Sequence, residues 1–303
     1  MNPVRAALGS LIDYAGLFPP AALDLPAVVD NHLRYLQSPE RWLLGRLIVP
    51  RARLDDLVRL LRGPQHGASE HQPAPWTISV LARLDDGALD SLGDDIASAN
   101  EQLRPERAAV VAVEIAVRTA GDIERTATVI PDRYERYVEL PLDADLPGLV
   151  RAAARAGCYA KARAGGVTAE AFPSPGALAR FMALCAAHEV PFKATAGLHH
   201  PFKGSYPLTY EPQSLCAVMH GFVPIVFASA LLYRRRTDEA GAAAILSSSE
   251  PFVLRDEAIR WGSFEVSGMD LSFARAHLFR SVGSCSFEEA VGDLRRERWI
   301  ESS

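Results

Sequence analysis

The feature that most constrains the fold is an alternation of short apolar strand patterns with longer helical patterns along the 303 residues. This alternation is typical of parallel βαβ units. We predict eight strands, at residues 11–16, 45–50, 76–82, 109–116, 137–142, 159–163, 192–197 and 278–283. Helices are predicted between most of them, at residues 25–35, 54–61, 89–103, 122–129, 146–156 and 175–188.

Eight such units in a chain of this length predict an α/β fold, a (β/α)8 TIM barrel, as a single domain over residues 1–303. An open doubly wound sheet is the alternative, but no GxGxxG turn follows an early strand. Between strands seven and eight we expect a helical insert at about residues 204–277, with helices near 213–233 and 239–246, over the top of the barrel or at a subunit contact. The Pro/Gly-rich residues 63–75 predict a surface loop without chemistry.

Composition limits the partners. A net charge of -5 and a pI near 5.9 give no general attraction to nucleic acid, so we expect a small-molecule substrate instead. The apolar residues 215–233 are interrupted by His220, Gly221 and Pro224, which favours a buried helix over a membrane span. Four scattered cysteines without a CxxC pair, and no secretory signal, predict reduced thiols and a cytoplasmic location. A homo-oligomer is suggested by the apolar insert.

Two lysines within apolar strands are the main chemical signal. Lys161 lies in the sixth predicted strand and Lys193 in the seventh. Burial disfavours the charged form of an amine and lowers its pKa, and a second cation nearby does the same. A partly neutral lysine is a nucleophile that forms a Schiff base with a carbonyl compound. The sequence therefore predicts imine chemistry, with one lysine as nucleophile and the other lowering its pKa.

Other ionisable residues fall on or just after predicted strands, where TIM-barrel active sites lie. Asp13 and Glu139 are candidates for proton transfer, with Glu139 preferred as the shuttle. Arg163 shares a strand face with Lys161, and Thr195 with Lys193, because side chains alternate along a strand. Further residues expected to contact the substrate are Arg163 as the anchor for an anionic group, Glu114, Thr195 and His200.

Two histidines and two glycine-containing turns complete the candidate set. His199 and His200 are adjacent and point apart on an extended segment, so we expect His199 to transfer protons or bind substrate and predict no metal site and no cofactor. The backbone amides of Gly165, Gly166 and Ser284 are suited to an anion. Helix capping is the alternative explanation near Ser284, because Ser286 and Glu289 have the spacing of a capping box.

The segments Lys161-Ala-Arg-Ala-Gly and Phe192-Lys-Ala-Thr-Ala-Gly-Leu resemble the sixth and seventh strands of the deoxyribose-phosphate aldolase family. The resemblance covers about 45 residues, and it implies that Lys161 forms the Schiff base and Lys193 tunes it. It does not extend to the paired glycines that hold phosphate in that family. The whole chain also resembles an uncharacterised bacterial family with the signatures AGLFPP, KATAGLHHP and GSCSF, for which no activity is established.

We therefore predict a lyase of the class I aldolase type acting on a small carbonyl compound, with an anionic group as the partner of Arg163, through a lysine Schiff base. One alternative is an isomerase or metal-assisted lyase that uses His199, His200 and Glu139, with the lysines only binding an anion. The other is a non-catalytic ligand-binding barrel whose buried charges pair with one another.

Overall fold

In a computed structural model, which describes residues 1–63, 75–84 and 89–301, the chain forms the predicted (β/α)8 barrel. Most of the loop predicted at residues 63–75 lies outside the described residues. The barrel strands are β1 Ile12–Tyr14, β2 Leu44–Pro50, β3 Trp76–Ala82, β4 Ala108–Ala116, β5 Glu135–Glu139, β6 Tyr159–Arg163, β7 Phe192–Thr195 and β13 Phe279–Ser284. These eight parallel strands close in the order β1-β13-β7-β6-β5-β4-β3-β2.

Helices surround the barrel, and side chains at their first residues stabilise several of them. Asp24, Asp145 and Ser174 each accept a hydrogen bond from a backbone N–H of the first turn, and Thr119 forms a capping box with Asp122. The helices are α1 Pro3–Leu8, α2 Leu25–Gln37, α3 Leu54–Leu61, α4 Leu92–Leu103, α5 Ala120–Val129, α6 Leu146–Ala156, α7 Pro175–Ala187, α8 Phe222–Tyr233, α9 Glu239–Ser247, α10 Gly268–His277 and α11 Phe287–Arg296.

The segment between β7 and β13 differs from the expected helical insert. It contains α8, α9 and α10, but also a hairpin of β8 Gly204–Pro207 with β9 Cys216–Met219. A second antiparallel sheet is formed by β10 Val253–Leu254, β11 Ala258–Trp261 and β12 Phe264–Ser267. The helices pack beside the barrel, with α8 against α7 and α10, whereas the loop of the β8–β9 hairpin reaches its mouth.

The apolar run at residues 215–233 is a buried helix only from Phe222 onward, because Cys216–Met219 forms the strand β9. Helix α8 has 12 residues, and 11 of them are buried, so it is apolar on every side because every side is covered by protein. None of the helices in the described part of the chain combines the length and the apolar character that a membrane span requires.

Candidate active site

Lys161 and Lys193 meet inside the barrel, as the strand pattern predicts. They are direct partners in the register of the parallel strands β6 and β7, and both side chains point inward. Lys193 is fully buried and Lys161 is 3% exposed. The helix before β6 ends at Gly157, whose φ of 62° lies in the left-handed region that glycine adopts without steric cost.

Glu114 on β4 lies between the two lysines and pairs with both. Its Oε2 is 2.8 Å from Nζ of Lys161, and its Oε1 is 2.7 Å from Nζ of Lys193. The hydroxyl of Ser79 donates a third hydrogen bond to Oε1, at 2.9 Å. Burial alone would raise the pKa of this carboxyl, but the two ammonium groups hold the pKa of Glu114 well below its ordinary value. Glu114 therefore stays ionised.

Each lysine has a second carboxylate of its own. Lys161 is 2.9 Å from Oε2 of Glu139, and Lys193 is 2.5 Å from Oδ2 of Asp13. Asp13 also accepts hydrogen bonds from the Ser281 hydroxyl and from the backbone N–H of Arg46. Together Asp13, Lys193, Glu114, Lys161 and Glu139 form a continuous chain of alternating charge, which we call the axial charge chain.

The expectation that Lys193 lowers the pKa of Lys161 is wrong for this arrangement. Burial does act to lower the pKa of Lys161, but the carboxylates of Glu114 and Glu139 outweigh it and raise that pKa above its ordinary value. The reason is that Glu114, which is expected only to contact the substrate, separates the two amines. In this arrangement Lys161 is an ammonium ion.

A cavity of about 210 Å³ opens above the axial charge chain, at the carboxyl ends of the strands. Of the two central lysines, Lys161 lines it and Lys193 does not. Apolar side chains form much of the wall, among them Phe18, Pro19, Ile48, Leu81 and Val167, and the cavity is also lined by Glu114, Arg163, Gly166, Thr195, His199 and Cys285.

The remaining predicted residues divide into those that reach this cavity and those that do not. Arg163 lies at the mouth with a side chain 62% exposed, 4.0 Å from Oε1 of Glu139. Asp13, predicted to transfer protons, pairs with Lys193 and does not line the cavity. Gly165 has a packing role, because a Cβ there would lie 2.5 Å from Phe172 and 3.0 Å from the Cα of Gly197.

The two histidines separate, as adjacent residues on an extended segment should. His199 lines the cavity, with Nδ1 3.0 Å from Oγ of Ser284. Burial, and then the neighbouring His200, lower the pKa of His199 to about 4, so its imidazole is neutral near pH 7. His200 turns away, with its ring stacked on Tyr206 and Nδ1 2.6 Å from Oδ2 of Asp293, so its predicted contact with substrate is wrong.

The turn before α11 is explained by capping. Ser284 is buried and bonds His199 and the Ser286 carbonyl, so it positions the imidazole. Ser286 accepts a hydrogen bond from the backbone N–H of Glu289, but the Glu289 carboxylate bonds Tyr210 at 3.0 Å and does not complete a capping box. Because Glu288 and Glu289 occupy the first turn, this helix end disfavours an anion.

Sequence reasoning missed Cys285 as a partner of His199. The Cys285 Sγ lies 3.7 Å from Nδ1 of His199 and 3.6 Å from the Tyr210 hydroxyl. Burial raises the pKa of Cys285, so the group is a neutral thiol beside a neutral imidazole. Tyr210 comes from the β8–β9 loop, and no local pattern indicated that this loop reaches the barrel mouth.

The described ranges contain no group of three or more His, Cys, Asp or Glu side chains arranged to hold a metal ion. His199, His200 and Glu139, the set proposed for a metal-assisted reaction, do not converge, because His200 faces Asp293. In comparisons with known proteins, no family model, no curated protein and no solved structure matches the chain. The fold, a TIM barrel, is compatible with an enzyme, and the geometry of the site carries the functional argument.

Proposed function

We propose that this protein is a lyase of the class I aldolase type in which Lys161 forms a Schiff base with a small carbonyl substrate. The proposal rests on the observation that the two cations paired with Glu114 inside the barrel are lysines and not arginines. Of the chain's 32 lysine and arginine residues only three are lysine, namely Lys161, Lys193 and Lys203, and two of these three occupy the barrel interior. Arginine would pair with carboxylates as well, but it does not lose its proton in proteins, whereas lysine does.

The position of the cavity favours Lys161 over Lys193 as the nucleophile. Lys161 borders the cavity, so a carbonyl carbon can approach its Nζ from the open side. Lys193 is fully buried between Asp13 and Glu114 and is separated from the cavity. Its charge keeps Glu114 ionised, so in this proposal Lys193 fixes the charge state of the carboxylate that positions Lys161.

Glu139 is the better proton acceptor of the two carboxylates that touch Lys161. Glu114 is paired with two ammonium groups and a hydroxyl, which makes protonation unfavourable. Glu139 has one close cation, and its side chain is 21% exposed. Transfer of one proton from Lys161 to Glu139 replaces that ion pair by a neutral amine and a neutral acid. It also ends the ion pair of Lys161 with Glu114, which remains paired with Lys193.

The reaction then balances with the groups present. The neutral amine adds to the carbonyl carbon, Glu139 returns its proton to the hydroxyl of the carbinolamine, and water leaves as the iminium forms. The bond between the α carbon and the β carbon of the iminium then breaks, and its electron pair forms the enamine, which is later protonated at the α carbon and hydrolysed to free Lys161. The second fragment departs as a carbonyl compound after its β hydroxyl loses a proton. His199, neutral and bordering the cavity, is placed to take that proton.

The cavity limits the substrate. Its volume of about 210 Å³ lies below the usual range for drug-sized ligands, roughly 300–1,000 Å³, so the substrate is small. One wall is apolar, and Arg163 offers an exposed guanidinium at the mouth for an anionic group such as a carboxylate. Small 2-oxo acids and short aldehydes are the first compounds to test.

Reductive trapping tests the proposal. The protein is incubated with sodium borohydride and either pyruvate or acetaldehyde, and the intact mass is measured. We expect one adduct, equal to the mass of the carbonyl compound less one oxygen atom. Lys161→Arg, which keeps the charge but cannot form an imine, should abolish it, while Lys203→Arg serves as the surface control. No adduct with a panel of small carbonyl compounds, or an unchanged adduct in Lys161→Arg, contradicts the proposal.

The same experiment separates the two alternatives. A non-catalytic barrel is favoured by the ion pairs that both lysines make, but the open cavity beside Lys161 argues against a fully closed cluster. Such a barrel, or an isomerase whose lysines only bind an anion, would give no covalent adduct.

A further inference from the structure

A second cavity, of about 480 Å³, lies at the opposite end of the barrel from the proposed active site. It is bordered by the residues that precede β1 and by the first residues of β2, β3 and β13, together with α1 and the end of α10. The proposed reaction makes no use of this end of the barrel. Its charged lining residues are four arginines and one carboxylate, Arg5, Arg46, Arg275, Arg280 and Asp13.

The positive charge of this arginine cavity exceeds the negative charge around it. Glu135 pairs with Arg46 at 2.8 Å and with Arg280 at 3.3 Å, so one carboxylate serves two guanidinium groups. Asp13 could balance a third guanidinium group, but its Oδ2 is already 2.5 Å from the ammonium of Lys193.

Arg5 and Arg275 have no carboxylate within ion-pair distance among the described residues. The Arg5 guanidinium stacks on the ring of Trp42, 4.6 Å from its centroid. Arg275 donates to the backbone carbonyls of Gly9, Phe279 and Arg280, which are dipoles without net charge. Burial, and then the charge of Arg280, lower the pKa of Arg275 to about 10. The hydrogen-bond partners of Arg275 are therefore neutral groups.

The other lining groups suit an oxyanion. The cavity is also lined by the polar residues Ser10, Thr77 and Ser281. Guanidinium groups present planar pairs of N–H donors that match the oxygens of a phosphate, and a dianion would supply the missing negative charge. We propose that the arginine cavity is a binding site for a phosphate group, as inorganic phosphate or as the phosphate monoester of a small molecule.

Calorimetric titration of the full-length protein tests this site, with inorganic phosphate and glycerol 3-phosphate as probes at constant ionic strength. We expect saturable binding of one equivalent to the wild type. Arg280→Gln and Arg5→Gln should each weaken it by about ten-fold or more, because a charge-assisted hydrogen bond is lost. Arg275 is not substituted, because its guanidinium donates hydrogen bonds to three backbone carbonyls and its loss would disturb the fold. Equal affinity for the two probes indicates a site for the phosphate group alone, whereas tighter binding of the ester indicates a metabolite.

Two control variants locate the bound anion. Arg163→Gln removes the cation at the other mouth of the barrel, and Arg260→Gln removes an exposed charge on β11. Both should bind phosphate within about two-fold of the wild type if the arginine cavity is the site. The proposal is overturned if neither probe gives saturable heat, or if binding survives Arg280→Gln and Arg5→Gln and is lost in Arg163→Gln. The result is independent of the borohydride experiment, which reports only on Lys161.

Discussion

Replacing Glu114 with glutamine removes the charge that holds the two lysines together, and it should be strongly destabilising. The pairs at 2.7 and 2.8 Å each represent about 6 kcal/mol of attraction at an effective dielectric constant of about 20. Much of this offsets the desolvation of the three groups. Breaking a buried ion pair by removing one partner typically costs about 3–5 kcal/mol of unfolding free energy, because the remaining charge is left uncompensated.

The assay is urea denaturation at pH 7 of the wild type, Glu114→Gln and the matched variant Glu139→Gln. Glu139 belongs to the same axial charge chain but has one close cation and a side chain that is 21% exposed. We expect about 3–5 kcal/mol of destabilisation for Glu114→Gln and about 1 kcal/mol for Glu139→Gln. Equal costs for the two variants would refute the view that Glu114 is the central ion of the barrel.

Three further predictions concern pH, substrate charge and packing. Because the folded-state pKa of Glu114 lies below its unfolded value, this carboxyl stabilises the fold above pH about 4.5 and loses that effect as the pH falls further. Denaturation at a series of pH values should show that the unfolding free energy falls more steeply with acid in the wild type than in Glu114→Gln. Parallel curves would contradict this. Once a substrate is found, Arg163→Gln should raise KM about ten-fold for an anionic carbonyl compound and little for a neutral one, whereas equal effects on both would exclude Arg163 as the anion anchor. Gly165→Ala should lower the unfolding free energy by about 1–3 kcal/mol in thermal unfolding, because the added Cβ would lie 2.5 Å from Phe172. The control Gly176→Ala, where the nearest contact is 4.0 Å, should not destabilise the protein. An unchanged stability of Gly165→Ala would mean that Phe172 moves freely.

The barrel could be predicted from the sequence because its determinants are local. The strand Tyr159–Arg163 and the helices Leu54–Leu61 and Leu146–Ala156 have the predicted bounds, since apolar periodicity and capping residues act over a few positions. The two small antiparallel sheets were missed. Their strands have two to four residues, too few for an alternation pattern, and the long α-helix assumed at residues 213–233 begins only at Phe222.

The composition of the site could be predicted better than its electrostatics. Neighbouring strands bring Lys161 and Lys193 into register, which follows from the parallel order of the barrel. The position of Glu114 between them depends on the shape of the closed barrel, because β4 is two strands away from β6. For the same reason the strand pattern does not predict the sign of the pKa shift at Lys161. The scarcity of lysine, with three in the whole sequence, is the sequence signal that points to these residues.

The identity of the modified residue shows directly whether Lys161 forms the imine. After borohydride reduction in the presence of a carbonyl compound that gives an adduct, the protein is digested and the peptides are sequenced by mass spectrometry. Borohydride reduction leaves an alkyl group on an amine nitrogen, and the amines of this chain are the three lysines and the terminal amine, so the assignment is unambiguous. We expect the adduct on Lys161. An adduct confined to Lys193, or spread over Lys203 and the terminal amine, would contradict this.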